Sequence, residues 1–418
     1  MIEQRRVNSV AMSAYPLLIA IAVPSLLFGR SVFGVVLGLG VLAMAISHPW
    51  RDVRGQFLRQ AKTPTGILVL LVFAAWLPNL LVSDFPLQSA FAVARTLAFA
   101  GLAAFIAIGL ASNPPMEATL LVTFVVSALV GAGIALFSIF VTPELYWFLH
   151  LKGWVADPIG SKLKNFSALA VFIVPLALLA GFRLRGGWRL AGALVFFGFV
   201  ALVWENYNRS AMAGMVAAMV AFGVALLAGT GSKKRAIAVL GAVLLAAGAL
   251  LAWLHLTRGI VPPEQAQGHD WLLPLWLIDF QRQIIWSTTW EFATRSPWFG
   301  IGANTVNLVD GADKLIAGTF GLQVVPGHPH NWALEVFAET GAIGFLALVA
   351  VILYMAYDAL IRYRRTHSAP MLAAVAVMAG YWGSGLFNYS YWSAWWQVAF
   401  MLSLAICYAL ERIDAAER

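Results

Sequence analysis

Two histidines separated by one residue, His328 and His330, stand directly before a long apolar run. Pro329 between them is typical of the first position of a helix, so we expect His330 in the first helical turn. The positive end of a helix dipole disfavours a protonated imidazole, and His330 should therefore stay neutral, as a general base must. The pair could instead cap the helix or bind a metal ion. No third ligand with the spacing of a metal site lies nearby, so we predict no metal.

Three arginines, Arg209, Arg258 and Arg282, fall outside the apolar runs of the sequence. A guanidinium group binds phosphate oxygens in pairs and keeps its charge near a membrane, which suits a lipid-linked diphosphate. Each of the three could equally be an interfacial arginine that meets lipid headgroups.

Two charged residues, Arg95 and Glu339, lie inside apolar runs. Charges at such depth are costly and usually face a partner or a water-filled cavity. We favour an ion pair between the two as a structural lock over a catalytic role. The nearby Gly341 and Gly344 are predicted to allow close packing of helices.

The composition of the chain points to lipid as its solvent. Of the 418 residues, 61% are hydrophobic and 11% are charged, and the mean hydropathy is +0.81. Soluble domains are about 45–50% apolar and about 25% charged. The net charge of +8 comes mostly from basic residues in short loops, which indicates membrane topology and no nucleic-acid partner. A single cysteine, Cys407, excludes a disulfide framework.

The hydropathy pattern predicts an all-α integral membrane protein with about twelve transmembrane helices. The apolar runs lie near 10–28, 31–47, 65–82, 88–111, 117–140, 166–182, 189–205, 211–229, 236–255, 331–357, 371–387 and 394–411. Basic residues concentrate in alternate loops, which places both termini in the cytoplasm. The predicted organisation is nine helices in 1–255, a lid loop in 256–330 and three helices in 331–418.

The predicted lid loop contains five tryptophans, and tryptophan favours the membrane–water interface. We therefore expect the loop to lie on the bilayer surface. The residues from Leu277 to Arg295 have the pattern of a short helix that Pro297 ends.

Three segments resemble motifs of the bacterial O-antigen ligase and polymerase superfamily. Residues 328–344 match a His-Asn pair that opens a late helix and precedes Glu-x-Gly-x-x-Gly. Residues 208–211 look like its Ser-Arg-Ser element, with asparagine in place of the first serine, and residues 281–302 look like its lid-loop element. The three motifs appear in the same order and on one predicted side of the membrane.

The resemblance implies a GT-C-type glycosyltransferase that works outside the cytoplasm, in the bacterial inner membrane, without a cofactor. The donor would be a glycan on undecaprenyl diphosphate and the acceptor a sugar hydroxyl. By residue match, Arg209 and Arg282 would hold the diphosphate as it leaves, and His330 would take the acceptor's proton, with inversion at the anomeric carbon. Further candidates for substrate binding are Arg258, Lys162, Lys164, His328, Asn331 and Arg95.

The motifs do not separate a ligase from a polymerase. We favour a ligase of lipopolysaccharide biosynthesis, with lipid A–core as acceptor, because the layout is compact with one modest lid. A polymerase, which would use a second lipid-linked repeat as acceptor, is the alternative. A membrane transporter would predict inverted repeats and helices broken at mid-membrane. The sequence suggests neither of these features.

Overall fold

The computed structural model describes residues 2–153, 159–230, 232–317, 319 and 321–418. Within them the secondary structure is helical apart from one isolated β-bridge between Leu315 and Gln323. The helices are α1 (Ile2–Ala22), α2 (Arg30–Ser47), α3 (Trp50–Ala61), α4 (Pro64–Trp76), α5 (Asn79–Val82), α6 (Pro86–Ala111), α7 (Glu117–Phe140), α8 (Pro143–Leu149), α9 (Ile159–Lys162), α10 (Lys164–Ala168), α11 (Ala170–Leu184), α12 (Trp188–Glu205), α13 (Arg209–Gly229), α14 (Lys233–Thr257), α15 (Phe280–Arg295), α16 (Trp332–Thr366), α17 (Ala369–Gly385) and α18 (Ala394–Glu417).

The described chain contains eight helical segments that are long and apolar enough to cross a membrane. They are Arg30–Ser47, Pro64–Val82, Pro86–Ala111, Pro114–Phe140, Trp188–Glu205, Arg209–Gly229, Ile237–Thr257 and Trp332–Thr366. Two shorter apolar helices are Val10–Ala22 and Ala170–Leu184. The prediction of an all-α chain is thus confirmed for the described residues, the apolar helices are consistent with a membrane protein, and the total of twelve crossings stays a prediction.

The main core lies between α11, α17 and α18, whose side chains are buried along most of their length. Aromatic rings pack at its centre: Tyr381 stacks on Phe400 with 4.0 Å between centroids, and Phe172 lies tilted against Trp396 at 4.7 Å. Helices that are apolar on every face belong in such a position. In contrast, no residue in the most apolar stretch of Ile237–Thr257 in α14 is buried within the chain, as expected for a helix surrounded by lipid.

Ion pairs hold together one end of the helix assembly. The guanidinium of Arg183, at the end of α11, lies 2.6 Å from Glu117 of α7 and 2.8 Å from Asp414 of α18. We call this end of the molecule the Arg183 end. The loops with the predicted site residues lie at the other end, where α13 and α16 begin.

The helix α16 is broken at Gly341, whose backbone has φ 67° and ψ −177°. The break lies roughly nine residues into the helix, about 14 Å from its start. The expectation that no helix is broken within the membrane is therefore wrong. Both predicted glycines pack closely, because an added Cβ would meet Trp76 and Thr340 at Gly344 and the backbone of Trp298 and Phe299 at Gly341. Gly341 thus packs against the loop that follows α15, and it also interrupts α16.

The backbone of the long loop (residues 258–331, which joins α14 to α16) fills this break. Residues 297–302 exchange hydrogen bonds with α16 on both sides of Gly341: Ala342 N to Pro297 O (2.8 Å), Ile343 N to Trp298 O (3.3 Å), Ile301 N to Ala338 O (3.0 Å) and Gly302 N to Glu339 O (3.0 Å). These bonds satisfy polar groups that a broken helix would otherwise leave unpaired in an apolar environment.

Candidate active site

The helix α15 of the long loop packs against the beginning of α16. Its Trp286 donates the indole N–H to the carbonyl oxygen of Pro329 at 2.9 Å. One turn later, Trp290 stacks on Phe337 of α16 with 5.6 Å between ring centroids. Arg282, one turn before Trp286, is thereby held next to the segment that carries the two histidines.

His330 lies just before α16 and not in its first turn. The helix begins at Trp332, and the side-chain oxygen of Asn331 caps it by accepting the N–H groups of Ala333 (3.1 Å) and Leu334 (3.2 Å). Our placement of Pro329 at the first helical position is therefore wrong, because asparagine is the stronger N-cap. His330 has φ 58°, in the left-handed region that few residues other than glycine adopt.

The ring of His330 has a hydrogen-bond partner that the sequence analysis did not identify. Its Nδ1 lies 2.9 Å from the side-chain oxygen of Asn388, in the loop between α17 and α18. With the side-chain oxygen of Asn388 as the acceptor, Nδ1 carries the proton and Nε2 keeps a free lone pair. The neutral ring is thus in the tautomer that can accept a proton at Nε2. A signal was available: Asn388 is a polar residue between two apolar runs, on the predicted side of the histidines.

Both histidines are biased toward the neutral form. Burial lowers the pKa of His330; Asn388 opposes this and the charge of Arg282 adds to it. Burial lowers the pKa of His328 to about 4; the charge of His330, whose ring centroid lies 4.2 Å away, lowers it further, and a hydrogen bond with Asn388 opposes this. The Nε2 atom of His328 is buried and finds no hydrogen-bond partner in the described chain. With so low a pKa, His328 is poorly suited to accept a proton at neutral pH.

The three arginines predicted to bind phosphate lie within electrostatic range of one another. Burial lowers the pKa of Arg282, and the charge of Arg209 lowers it further against the opposing effect of Asp279. Burial also lowers the pKa of Arg258, and the charges of both other arginines add to this. Three cations and one carboxylate leave a net positive charge, which favours an anionic ligand.

The three arginines differ in their bonds to the protein. Arg258 donates to the carbonyl oxygens of Trp276 (3.0 Å) and Leu277 (3.1 Å), and it lies 3.7 Å from a carboxylate oxygen of Asp279. The guanidinium groups of Arg209 and Arg282 make no hydrogen bond to the chain as far as it is described. These two are therefore available to a ligand, whereas Arg258 already braces the start of α15.

Lys162 and Lys164 are exposed beside the segment that leads to Arg209. Asn208 connects the two regions, because its amide nitrogen donates to the carbonyl oxygen of Lys164 at 2.9 Å. Its side-chain oxygen caps α13 by accepting the N–H of Ala211 at 3.2 Å. Asparagine in place of the family's serine keeps the capping role and adds this second bond.

The predicted ion pair between Arg95 and Glu339 does not form. Arg95 donates to the carbonyl oxygen of Trp392 at 2.6 Å, while the carboxylate of Glu339 accepts the indole N–H of the same tryptophan. The other acceptor sites of Glu339 bind backbone N–H groups of the long loop, those of Asn304, Thr305 and Val306, each at 2.8 Å. A row of backbone donors can satisfy a carboxylate without a cation, and a sequence alone does not reveal such a row.

Two further buried residues, not identified from the sequence, hold loops against α16. Glu335 accepts the hydroxyl of Ser390 (2.6 Å) and the N–H of Tyr391 (2.7 Å), which fixes the loop that carries Asn388. Asn79 donates to the carbonyl oxygen of Phe299 (2.7 Å) and accepts the N–H of Ala303 (2.9 Å), which fixes the long loop. These two loops of the site are therefore each tied to rigid elements.

Comparison with known proteins identifies the region that contains this site. Residues 193–349 match the family model for O-Antigen ligase. The matched range includes Arg209, Arg258, Arg282, His330 and Glu339. No curated protein matches the chain. The superfamily resemblance indicated by the three motifs is confirmed.

Proposed function

We propose that this protein, whose residues 193–349 match the family model for O-Antigen ligase, transfers a glycan from undecaprenyl diphosphate to a sugar hydroxyl of lipid A–core. This would make it an O-antigen ligase of lipopolysaccharide biosynthesis. The proposal rests on one observation. At one end of the helices, the neutral ring of His330, which Asn388 orients, lies near a group of arginines.

The arginines would bind the diphosphate of the donor. Arg209 and Arg282 have guanidinium groups that make no hydrogen bond to the described chain, and each can donate two parallel N–H bonds to phosphate oxygens. Arg258 would add charge from its fixed position. As the glycan leaves, negative charge grows on the diphosphate, and the fixed cations stabilise it there.

His330 would act as the general base. Its Nε2 takes the proton of the acceptor hydroxyl while the hydroxyl oxygen attacks the anomeric carbon of the donor. The bond from that carbon to the diphosphate oxygen breaks, and its electron pair leaves with undecaprenyl diphosphate. Asn388 keeps Nε2 unprotonated by accepting the Nδ1–H. Attack opposite to the leaving group inverts the anomeric centre, and no covalent glycosyl-enzyme is formed.

The membrane arrangement belongs to the same proposal. The Arg183 end would face the cytoplasm with both termini, and the site would face the periplasm, with the long loop as a lid over it. The fold would be of the GT-C type. The arginines supply the positive charge that a divalent ion supplies in other glycosyl transfers, and we propose that no metal takes part.

An assay with purified protein tests this function. The protein receives lipid-linked O-antigen donor with either lipid A–core or a second molecule of lipid-linked repeat, with and without excess chelator, and His330→Ala serves as the inactive control. We expect transfer to lipid A–core in both buffers. Elongation of the lipid-linked repeat alone would identify a polymerase, and loss of transfer with chelator would overturn the metal-independent mechanism. No transfer to either acceptor would refute the proposed activity.

A further inference from the structure

A polar cavity of about 440 Å³ lies at the Arg183 end of the molecule, far from the histidines. It is lined by Gln56, Arg59, Gln60, Thr63, Ser112 and Arg412. Its volume is within the range of about 300–1,000 Å³ that small-ligand sites occupy. Nothing in the proposed transfer reaction uses it.

Four helices build the cavity. Gln56, Arg59 and Gln60 are three and four residues apart on α3 and therefore share one face of that helix. Thr63 caps the beginning of α4, and Ser112 follows the end of α6. Arg412 enters from α18, one turn before the end of that helix. The lining is thus assembled from parts of the chain that are distant in sequence.

The charge of the described lining is positive. Among the residues whose side chains the structure describes, no carboxylate lines the cavity, and Arg412 has neither a hydrogen bond nor an ion pair. The adjacent carboxylate of Glu411 is already occupied, since it accepts from Ser368 and from Arg418 at 2.9 Å. A half-buried guanidinium without a partner is costly, which favours an anionic ligand.

The position of α3 indicates where that ligand comes from. The helix has exposed basic residues and two exposed apolar side chains, Phe57 (39% exposed) and Leu58 (51% exposed). This combination is typical of a helix that lies in the membrane interface with its apolar side among the acyl chains. The cavity between α3 and α18 would then be at the depth of lipid headgroups.

We propose that this cavity binds the phosphate-bearing headgroup of an anionic glycerophospholipid. Arg59 and Arg412 contact the phosphate, and the amides and hydroxyls of the lining contact its glycerol. Basic pockets between transmembrane helices are known to select such headgroups. The proposal does not depend on the transfer reaction at the other end of the molecule.

Lipid titration of the full-length protein in neutral detergent tests this site. Native mass spectrometry measures the apparent Kd for phosphatidylglycerol, and phosphatidylcholine and inorganic phosphate serve as comparison ligands. We expect phosphatidylglycerol to bind at least about tenfold more tightly than phosphatidylcholine. Arg59→Gln and Arg412→Gln should each weaken it about tenfold, because each removes a charged hydrogen bond.

Arg54→Gln is the matched control, because Arg54 is exposed on the same helix but does not line the cavity. It should leave the apparent Kd within about twofold. An equal loss of affinity in Arg54→Gln would show that general surface charge, and not the cavity, attracts the lipid, and it would overturn the proposal. Binding of phosphatidylcholine as tight as that of phosphatidylglycerol would also overturn the proposal. Displacement of phosphatidylglycerol by millimolar inorganic phosphate would overturn it as well, because it would indicate a site for soluble anions. If Arg59→Gln or Arg412→Gln changes the melting temperature in lipid-free detergent, the lysine variant at the same position is measured in its place; it keeps the charge but loses the paired N–H donors, so it should bind phosphatidylglycerol more weakly than the unchanged protein.

Discussion

The Nδ1 atom of His330 lies 2.9 Å from the side-chain oxygen of Asn388, although 58 residues separate them in the chain. The loop of Asn388 is itself fixed, because Glu335 of α16 holds the neighbouring Ser390 and Tyr391. The helix that follows His330 therefore also positions the residue that orients its ring. The orientation of the proposed base is determined by packed elements on both sides.

The two histidines should differ sharply when each is replaced. His330→Ala should lower the transfer rate by about 10²–10⁴-fold, because general-base assistance is worth that much, while donor binding remains. His328→Ala should lower the rate only partly, since the pKa of His328 is held near 4. Single-turnover rates and donor binding measure both effects. An inactive His328→Ala beside an active His330→Ala would show that the wrong base was chosen.

Asn388 is predicted to act through the ring of His330. Asn388→Ala should lower the transfer rate about tenfold by releasing the imidazole, without a change in donor affinity. Asn388→Asp would place a negative charge beside the ring and raise the pKa of His330. The acid limb of the pH–rate profile should then move to higher pH, a shift that a purely structural role would not produce.

The pH profile also tests the coupling between Arg282 and His330. The charge of Arg282 contributes to the lowered pKa of His330, so activity should begin to fall only below about pH 6.5, the ordinary histidine value. In Arg282→Gln that cation is absent, the pKa of His330 rises, and the acid limb moves to higher pH. Arg282→Lys keeps the charge and should leave the limb in place. An unshifted limb in Arg282→Gln would contradict the coupling.

Loss of the planar guanidinium should lower activity even when the charge is kept. Arg209→Lys and Arg282→Lys are each expected to cost roughly a hundredfold in rate, because lysine cannot form the two parallel bonds to phosphate. Rates are compared at equal amounts of inserted protein. Near-normal turnover in both variants would remove these residues from the diphosphate site.

The class of fold could be predicted from the sequence, and candidate site residues could be proposed from it, because both depend on local patterns. Apolar runs mark helices, and the residue types of His330, Arg209 and Arg282 indicate their chemistry wherever the chain places them. The partners could not be predicted in the same way. Glu339 binds three consecutive backbone N–H groups, and a backbone donor has no residue type that distinguishes it. The sequence predicted a pair between Arg95 and Glu339 because opposite charge is the only attraction between them that a sequence reveals. In the structure both side chains instead bind Trp392.

Because α16 is broken at Gly341, we expect the stability of the protein to be unusually sensitive to one added methyl group at that position. In Gly341→Ala the alanine would have to adopt the positive φ of 67°, and its Cβ would collide with the backbone of Trp298 and Phe299. We expect a loss of at least about 2 kcal/mol of stability, seen as a lower melting temperature in detergent. Gly248→Ala is the control, since nothing lies within 4 Å of its added Cβ on α14. A melting temperature for Gly341→Ala equal to that of the control would contradict the broken geometry.

The break also imposes an order on the assembly of the protein. Residues 297–306 leave the ribosome before α16, so the loop segment that satisfies the interrupted backbone is already made when the helix enters the bilayer. If the halves of this region were expressed as two chains divided between 306 and 331, the later fragment would enter the lipid with unpaired amides around Gly341. We expect the later fragment to remain in the membrane only when the earlier fragment is present. The long loop would then assist the insertion of α16 in the same chain, as a chaperone does.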